Sequence, residues 1–368
     1  MTTILHQPSI RFDRPVDRFA AEPAERRGLR RDQVRLLVAE AGTAEISHAR
    51  FADLPQFLQP GDLVVINNSQ TIAAELDLQS TEGRPLVLHV ASRLTDGDWV
   101  IELRTAPDAT SAVLDARPGD HFAVVPAMTH DRVSLPASTV WLREPYPADG
   151  RRSPTGSGTR LWRARIESST PFERLLAEHG RPIGYGYLSR RWPLQDYQTV
   201  FGTRPGSAEM PSAGRPFSTE LLTRLVADGV LVCPITLHTG VSSQEAGEGP
   251  QPEWFEVPAS TARVVNDVRC AGGRVIAVGT TVTRALESAV DDSGTVIARR
   301  GWTEHVVGPD RPARVVSGLL TGWHDPNASH LLLVESVAGS ALAQRAYDAA
   351  VAGGYLWHEF GDSCLLLP

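Results

Sequence analysis

Short apolar runs bounded by turn residues recur along the chain, and their spacing changes twice. Structure is expected to begin near Arg35-Leu36-Leu37-Val38, and Phe51 to Leu58 has a helical-turn pattern. Pro60-Gly61-Asp62 then turns the chain into Leu63 to Asn67, which reads as a buried strand. From about residue 75 to 170 the texture becomes short strands: Leu86 to Val90, Trp99 to Leu103, Phe122 to Val125, Thr139 to Leu142 and Leu161 to Ile166. Strands so short and close predict a small barrel or sandwich. Arg151 to Thr159, rich in Gly, Ser and Thr, reads as a loop.

From about residue 171 onward, helical and strand patterns alternate. Helices are predicted at Pro171 to His179 and at Ser218 to Asp228, the second with Ser218 as N-cap and Glu220 in its first turn. A strand at Leu231 to Leu237 follows, then a helix over 259–271, a strand from Val275 with its own helix, and a strand at Arg314 to Leu320. Helices over 329–338 and 340–351 complete the series. Such βα alternation predicts a largely parallel sheet. Residues 1–30 read as a loosely packed arm, with Arg26, Arg27, Arg30 and Arg31 solvated.

Composition narrows the function. The 368 residues, 42% hydrophobic, suffice for two domains, and a net charge of −7 gives no bulk attraction to nucleic acid. All 36 basic residues are arginine, which excludes lysine Schiff-base chemistry and a phosphate-binding Walker lysine. Cys233, Cys270 and Cys364 are scattered and match no metal-ligand spacing, so a reducing cytoplasm is expected. No apolar run approaches the roughly 20 residues that span a bilayer, and no membrane partner is expected.

The most chemical segment is Arg274 to Glu287, where an apolar run breaks at Gly279 and a helix pattern begins. Amides exposed at that helix start, with the Thr280 and Thr281 hydroxyls, suit an anion such as a carboxylate or phosphate. Arg284 and Glu287 lie one turn apart and share a face. In a parallel sheet the residues just after each strand gather along one edge, where α/β proteins place ligands. That edge would collect Asn67-Asn68, His238-Thr239-Gly240, Gly279-Thr280-Thr281 and Trp323-His324.

These residues carry a family resemblance. The blocks Leu237 to Gly240, Val278 to Ser288, Trp323 to Leu331 and Phe360 to Asp362 resemble those of the S-adenosylmethionine:tRNA ribosyltransferase-isomerase (QueA) family. Blocks at Arg31-Asp32, Arg35 to Val38, Phe51 to Leu54, Pro60 to Asn67, Asp196 to Phe201 and Pro211 to Gly214 follow the same order, so the likeness runs from about residue 31 to the C-terminus. The resemblance implies a largely parallel α/β main domain formed by residues 1–74 and 171–368, with a small β-barrel domain inserted at 75–170. It also implies an enzyme that uses S-adenosylmethionine as ribosyl donor toward a 7-aminomethyl-7-deazaguanine base in tRNA, without a metal. In outline, a base takes a proton from the carbon beside the sulfonium, the acceptor's aminomethyl group attacks the sugar, and adenine and methionine leave.

On that basis His238 is the first candidate base and His324 the second, while Asp362 or Glu287 would give the proton that adenine needs to depart. The S-adenosylmethionine site is assigned to Gly279, Thr280, Thr281, Arg284, Asn67 and Glu253, with the Thr280-Thr281 turn or Arg284 meeting the methionine carboxylate.

Some family positions are altered. Pro216 stands where the pattern has a histidine, and Ser242-Ser243-Gln244-Glu245 replaces a Gly-Thr-Phe motif. In the stretch Glu248 to Glu253 only Glu253 persists, two histidines being absent, and Gln70 and Glu75 replace arginines. Lost arginines weaken phosphate contacts with tRNA. Two further readings follow: a divergent paralogue with a small-molecule acceptor, and an inert S-adenosylmethionine-binding protein. A plain Rossmann methyltransferase fits poorly, since its glycine turn would follow the first strand. No oligomeric state is read from the sequence.

Overall fold

Successive residues of Leu63–Asn67 point to opposite sides of a sheet, and both sides are covered. Leu63 and Val65 join one apolar cluster, whereas Val64 and Ile66 join another. In this computed structural model the residues described are 7–13, 17–43, 45–126, 137–148, 158–241, 250–326 and 328–368. Most of the predicted loop at Arg151 to Thr159, the replaced motif Ser242 to Glu245 and position Glu248 lie outside them.

The chain begins with β1 (Arg35–Glu40), β2 (Ile46–Arg50), β3 (Leu63–Asn67) and β4 (Ser69–Thr71). Six strands follow: β5 (Glu75–Ser80), β6 (Pro85–Arg93), β7 (Trp99–Thr105), β8 (His121–Val125), β9 (Ser138–Pro145) and β10 (Leu161–Ser168). Next come α1 (Phe172–His179), β11 (Arg204–Ser207), α2 (Thr219–Ala227), β12 (Leu231–Leu237), β13 (Glu253–Val257) and α3 (Ala259–Cys270). The last part holds β14 (Val275–Val278), α4 (Thr280–Ser288), β15 (Arg299–Thr303), β16 (Gly318–Thr321), α5 (His330–Ala338), α6 (Ser340–Ala352) and β17 (Ser363–Leu367).

Strands β5 to β10 close into a barrel in the order β10-β7-β6-β5-β8-β9. The main sheet runs β15-β13-β12-β3-β14-β16-β17-β1-β2. Its core is parallel, β12 on β3, β3 on β14 and β14 on β16, and β17 pairs parallel with β1. The other four pairings are antiparallel, so the sheet is mixed. Helices α3 to α6 cover the face of Leu63, and α2 with the turn Phe51–Phe57 covers the other. The fold is therefore an α/β main body with a small barrel between its parts, as expected.

Two expectations are corrected. Residues 314–317 are not strand, because the amides of Arg314, Val315 and Val316 donate to the Glu287 carboxylate and leave the ladder, which starts only at Gly318. Nor are the described residues of the N-terminal segment loose. Ile10, Ala20 and Ala24 are buried, Phe12 stacks on Trp357 at 5.5 Å, and Arg27 donates to the Phe360 carbonyl. Ser218 caps α2 as predicted, its hydroxyl accepting from the Leu221 amide.

The barrel wall carries buried ionised groups on the face opposite its apolar core of Leu76, Leu88 and Leu103. His89 lies 2.9 Å from Glu75 and 3.7 Å from Glu102, Arg181 also binds Glu75, and Arg104 and Arg160 bind Glu102. Glu75, an arginine in the family pattern, is thus a buried ion-pair member. Burial alone would raise both carboxyls, but their hydrogen-bonded and charged partners outweigh it and hold each at about 2. For His89 burial lowers the pKa, and Glu102 and Glu75 more than restore it, leaving it raised. The carboxylates' stabilisation is complete above about pH 4.5 and is lost as pH falls toward 2, while that of His89 is complete below about 6.5 and is lost as pH rises through its folded value. Urea midpoints are expected to fall on both sides of that window. Glu102→Gln should flatten the acid limb, and an unchanged acid limb in that variant would contradict the arrangement.

Candidate active site

A cavity of about 660 Å³ lies beyond the carboxyl ends of β12, β14 and β16, within the roughly 300–1,000 Å³ range of small-ligand sites. One wall is the start of α4. Gly279 takes φ +90°, a conformation side-chain-bearing residues rarely adopt, and its amide donates to the Leu320 carbonyl at 2.7 Å. This turn leaves the first amides of α4 without intrahelical partners beside Thr280 and Thr281, both cavity-lining. Across from it stands the turn Ser212–Gly214, so close that a Cβ on Gly279 would lie 3.2 Å from the Ala213 methyl.

The second wall carries imidazoles. His324 follows β16, accepts or donates at 3.0 Å with the Thr321 hydroxyl, and stacks on His330 with ring centroids 4.9 Å apart. Burial pulls the His324 pKa well below the usual histidine range, helped by His330 and His358. Burial also takes His330 and His305 down to about 4, with Arg284 adding to both. All three rings are therefore neutral at pH 7 and available as proton acceptors.

Arg284 and Glu253 form a brace instead of an open ligand clamp. The guanidinium donates to Glu253 at 2.6 Å and to the carbonyls of His305, Gln251 and Thr303. Glu253 in turn accepts from the Gly240 amide at 3.1 Å. Four of the arginine's five N–H groups are thus committed within the protein, although Arg284 lines the cavity where a substrate carboxylate was expected. At the start of α4, beside Thr280 and Thr281, the unpaired amides are the part of this wall that an anion can meet.

Four other predicted residues are not among those lining this cavity. Glu287 and Arg284 do not pair with each other; the Glu287 carboxylate accepts the three amides of residues 314–316. Asn67 ties two strand ends together, donating to the Leu237 carbonyl and accepting from the amides of Leu237 and Ser69. Asp362 accepts from the amides of Arg35 and Leu356, and burial raises its pKa. His238 lies just past the end of β12 and is not cavity-lining, whereas Thr239 and Gly240 are. The ring stacks on Trp254 at 5.2 Å and meets the buried Ser69 hydroxyl at 2.7 Å. His238→Ala is accordingly expected to keep turnover within about threefold of wild type while losing of order 1 kcal/mol of stability. A hundredfold loss of turnover with stability intact would restore it as the base.

Sequence reasoning missed His305, His330, Glu209, Ser212, His358 and Glu359, all cavity-lining. His330 and Ser212 lie inside matched blocks and Glu359 immediately precedes one, a proximity that was the available signal.

A ligand-sized cavity with imidazoles and a helix start in its walls, at the carboxyl ends of parallel strands, fits an α/β ligand-binding enzyme. A family model described as queuosine biosynthesis protein matches residues 8–366. A Symbiobacterium thermophilum S-adenosylmethionine:tRNA ribosyltransferase-isomerase is 34% identical, with 97% of this chain and 98% of that protein covered. The Thermus thermophilus protein of that name is also 34% identical, over 96% of this chain and 97% of its own. A solved S-adenosylmethionine tRNA ribosyltransferase from Thermotoga maritima aligns over 97% of this chain and 99% of its own, with 26% identity and a TM-score of 0.51. The chain belongs to the queuosine biosynthesis protein family, that of the S-adenosylmethionine:tRNA ribosyltransferase-isomerases. Among the described residues no helix is long and apolar enough to cross a membrane.

Proposed function

We propose that this protein transfers the ribosyl part of S-adenosylmethionine to a 7-aminomethyl-7-deazaguanine-type base in tRNA, in the cytoplasm where both substrates occur. The observation that carries the reading is the Gly279-Thr280-Thr281 helix start opening into a nucleoside-sized cavity lined with neutral imidazoles. The donor's methionine carboxylate fits the free amides of α4. A sulfonium acidifies the carbon beside it, so a neutral imidazole within the cavity serves as base, and His324 replaces His238 in that role. Gln70 removes an arginine of the family pattern, and at Glu75 the carboxylate is buried and paired with Arg181 and Arg191.

Purified protein incubated with S-adenosylmethionine and with tRNA bearing the aminomethyl base is expected to release free adenine and methionine, and neither without that tRNA. Release in the absence of tRNA would favour a small-molecule acceptor. Binding of S-adenosylmethionine with no release under either condition would favour an inert binding protein.

A further inference from the structure

Glu209, Ser212 and Glu359 form one wall of the cavity. Ribosyl transfer from S-adenosylmethionine must break the bond between the sugar and the adenine ring nitrogen, and adenine departs as a neutral molecule only if its ring gains a proton. The acid must face the cavity and hold its proton near neutral pH. Glu253 is paired with Arg284, Glu287 and Asp362 are bound by backbone amides, and Asp325 sits 3.6 Å from His358. Glu359 meets both requirements.

Its placement is built into the backbone. His358, just before it, has φ +68°, a left-handed conformation uncommon for a side-chain-bearing residue, and its ring stacks on Tyr187 at 4.6 Å and on Phe19 at 4.9 Å. The loop is closed behind Glu359 by the Asp362 amide donating to the Leu356 carbonyl and by the Asp362 carboxylate accepting from the Leu356 amide, each at 2.9 Å. Asp362, the expected acid, therefore positions the loop that presents another acid three residues away. Ser212 hydrogen-bonds Glu359, and the next residue, Ala213, is the one that crowds Gly279, so acid and anion anchor flank one short turn.

We infer that Glu359 is the general acid for adenine departure, with Glu209 positioned to keep it protonated. This assignment rests on the ribosyl-transfer reading. In the step, the sugar–adenine C–N bond breaks and its electron pair stays on the purine. A lone pair of the sugar ring oxygen fills the deficit at carbon, the carboxyl O–H proton passes to a purine ring nitrogen, and Glu359 is left as carboxylate. The groups facing it are Glu209 after β11, Ser212, the hydroxyls of Tyr185 and Tyr187, and His358 with its partner Asp325. Burial first, then the charge of Glu209, pushes the Glu359 pKa up to about 8, against a small opposing pull from Ser212.

The test is single-turnover adenine release from S-adenosylmethionine with tRNA carrying the aminomethyl base, across pH, for wild type, Glu359→Gln and Glu209→Gln. Equilibrium S-adenosylmethionine binding is measured on each. Glu359→Gln should lose at least about 100-fold in adenine release while binding stays within about threefold. Wild-type activity should fall as pH rises past about 8, and Glu209→Gln should move that limb about one unit lower, because removing the neighbouring charge lets Glu359 ionise earlier. A structural role for either residue would not move the limb. Adenine release by Glu359→Gln within about threefold of wild type, or an unmoved limb in Glu209→Gln, overturns the assignment while ribosyl transfer stands. A wild-type protein releasing no adenine overturns the reading and the assignment together. If Glu359→Gln does not fold, the limb in Glu209→Gln decides.

Discussion

Arg284→Met is expected to lower the unfolding free energy by about 3–5 kcal/mol, the range for removing one partner of a buried ion pair. The change leaves Glu253 without its charge partner and takes a donor from each of the carbonyls of His305, Gln251 and Thr303. Arg284 is only 6% exposed, so water does not replace the missing donors. Burial already raises the Glu253 pKa against the pull of Arg284, and without the arginine its proton would be held more tightly still. Adding Glu253→Gln removes the uncompensated charge, and the double variant should be more stable than Arg284→Met alone. Urea unfolding of the four proteins in the cycle measures this. A ligand-gripping arginine predicts the reverse signature, stability within about 1 kcal/mol of wild type and a large loss of S-adenosylmethionine affinity.

Gly279→Ala carries the second large effect, on binding. A Cβ forced into φ +90° costs of order 1–3 kcal/mol, and at 3.2 Å from the Ala213 methyl it also pushes apart the two turns that flank the anchor. S-adenosylmethionine affinity is expected to fall about 10- to 100-fold by calorimetry, because the α4 amides no longer converge on one anion. Gly272→Ala is the control. It has φ +78° after α3 with nothing within 4 Å of its would-be Cβ, so it should cost stability and leave affinity alone. Equal affinity loss in both variants would mean that Gly279 acts through global stability.

Much of the architecture was legible in the chain. The strands at Leu63–Asn67 and Leu231–Leu237 match the apolar runs end to end, and the short-strand texture after residue 75 became the closed barrel. Among the strands that the apolar pattern did not reveal, β13 at Glu253–Val257 and β15 at Arg299–Thr303 have polar positions at the sheet's edge, where burial does not impose an apolar run. The ladder that began four residues late at Gly318 did so because a glutamate from α4 captured the preceding amides, a competition that no local pattern displays.

By itself the sequence determined the βα order, the glycine turn before α4 and the family's ordered blocks, because each depends on neighbours in the chain: a period, a cap, a forced φ. Only the tertiary structure decided which polar groups face the cavity. His238 is turned to Ser69, 169 residues away, and Arg284 is spent on Glu253, 31 residues away. Asp362 is spent on the amide of Arg35, 327 residues away, leaving Glu359 to face the cavity. A buried polar group goes wherever a partner satisfies it, and those partners are brought together by the sheet and barrel rather than by spacing along the chain.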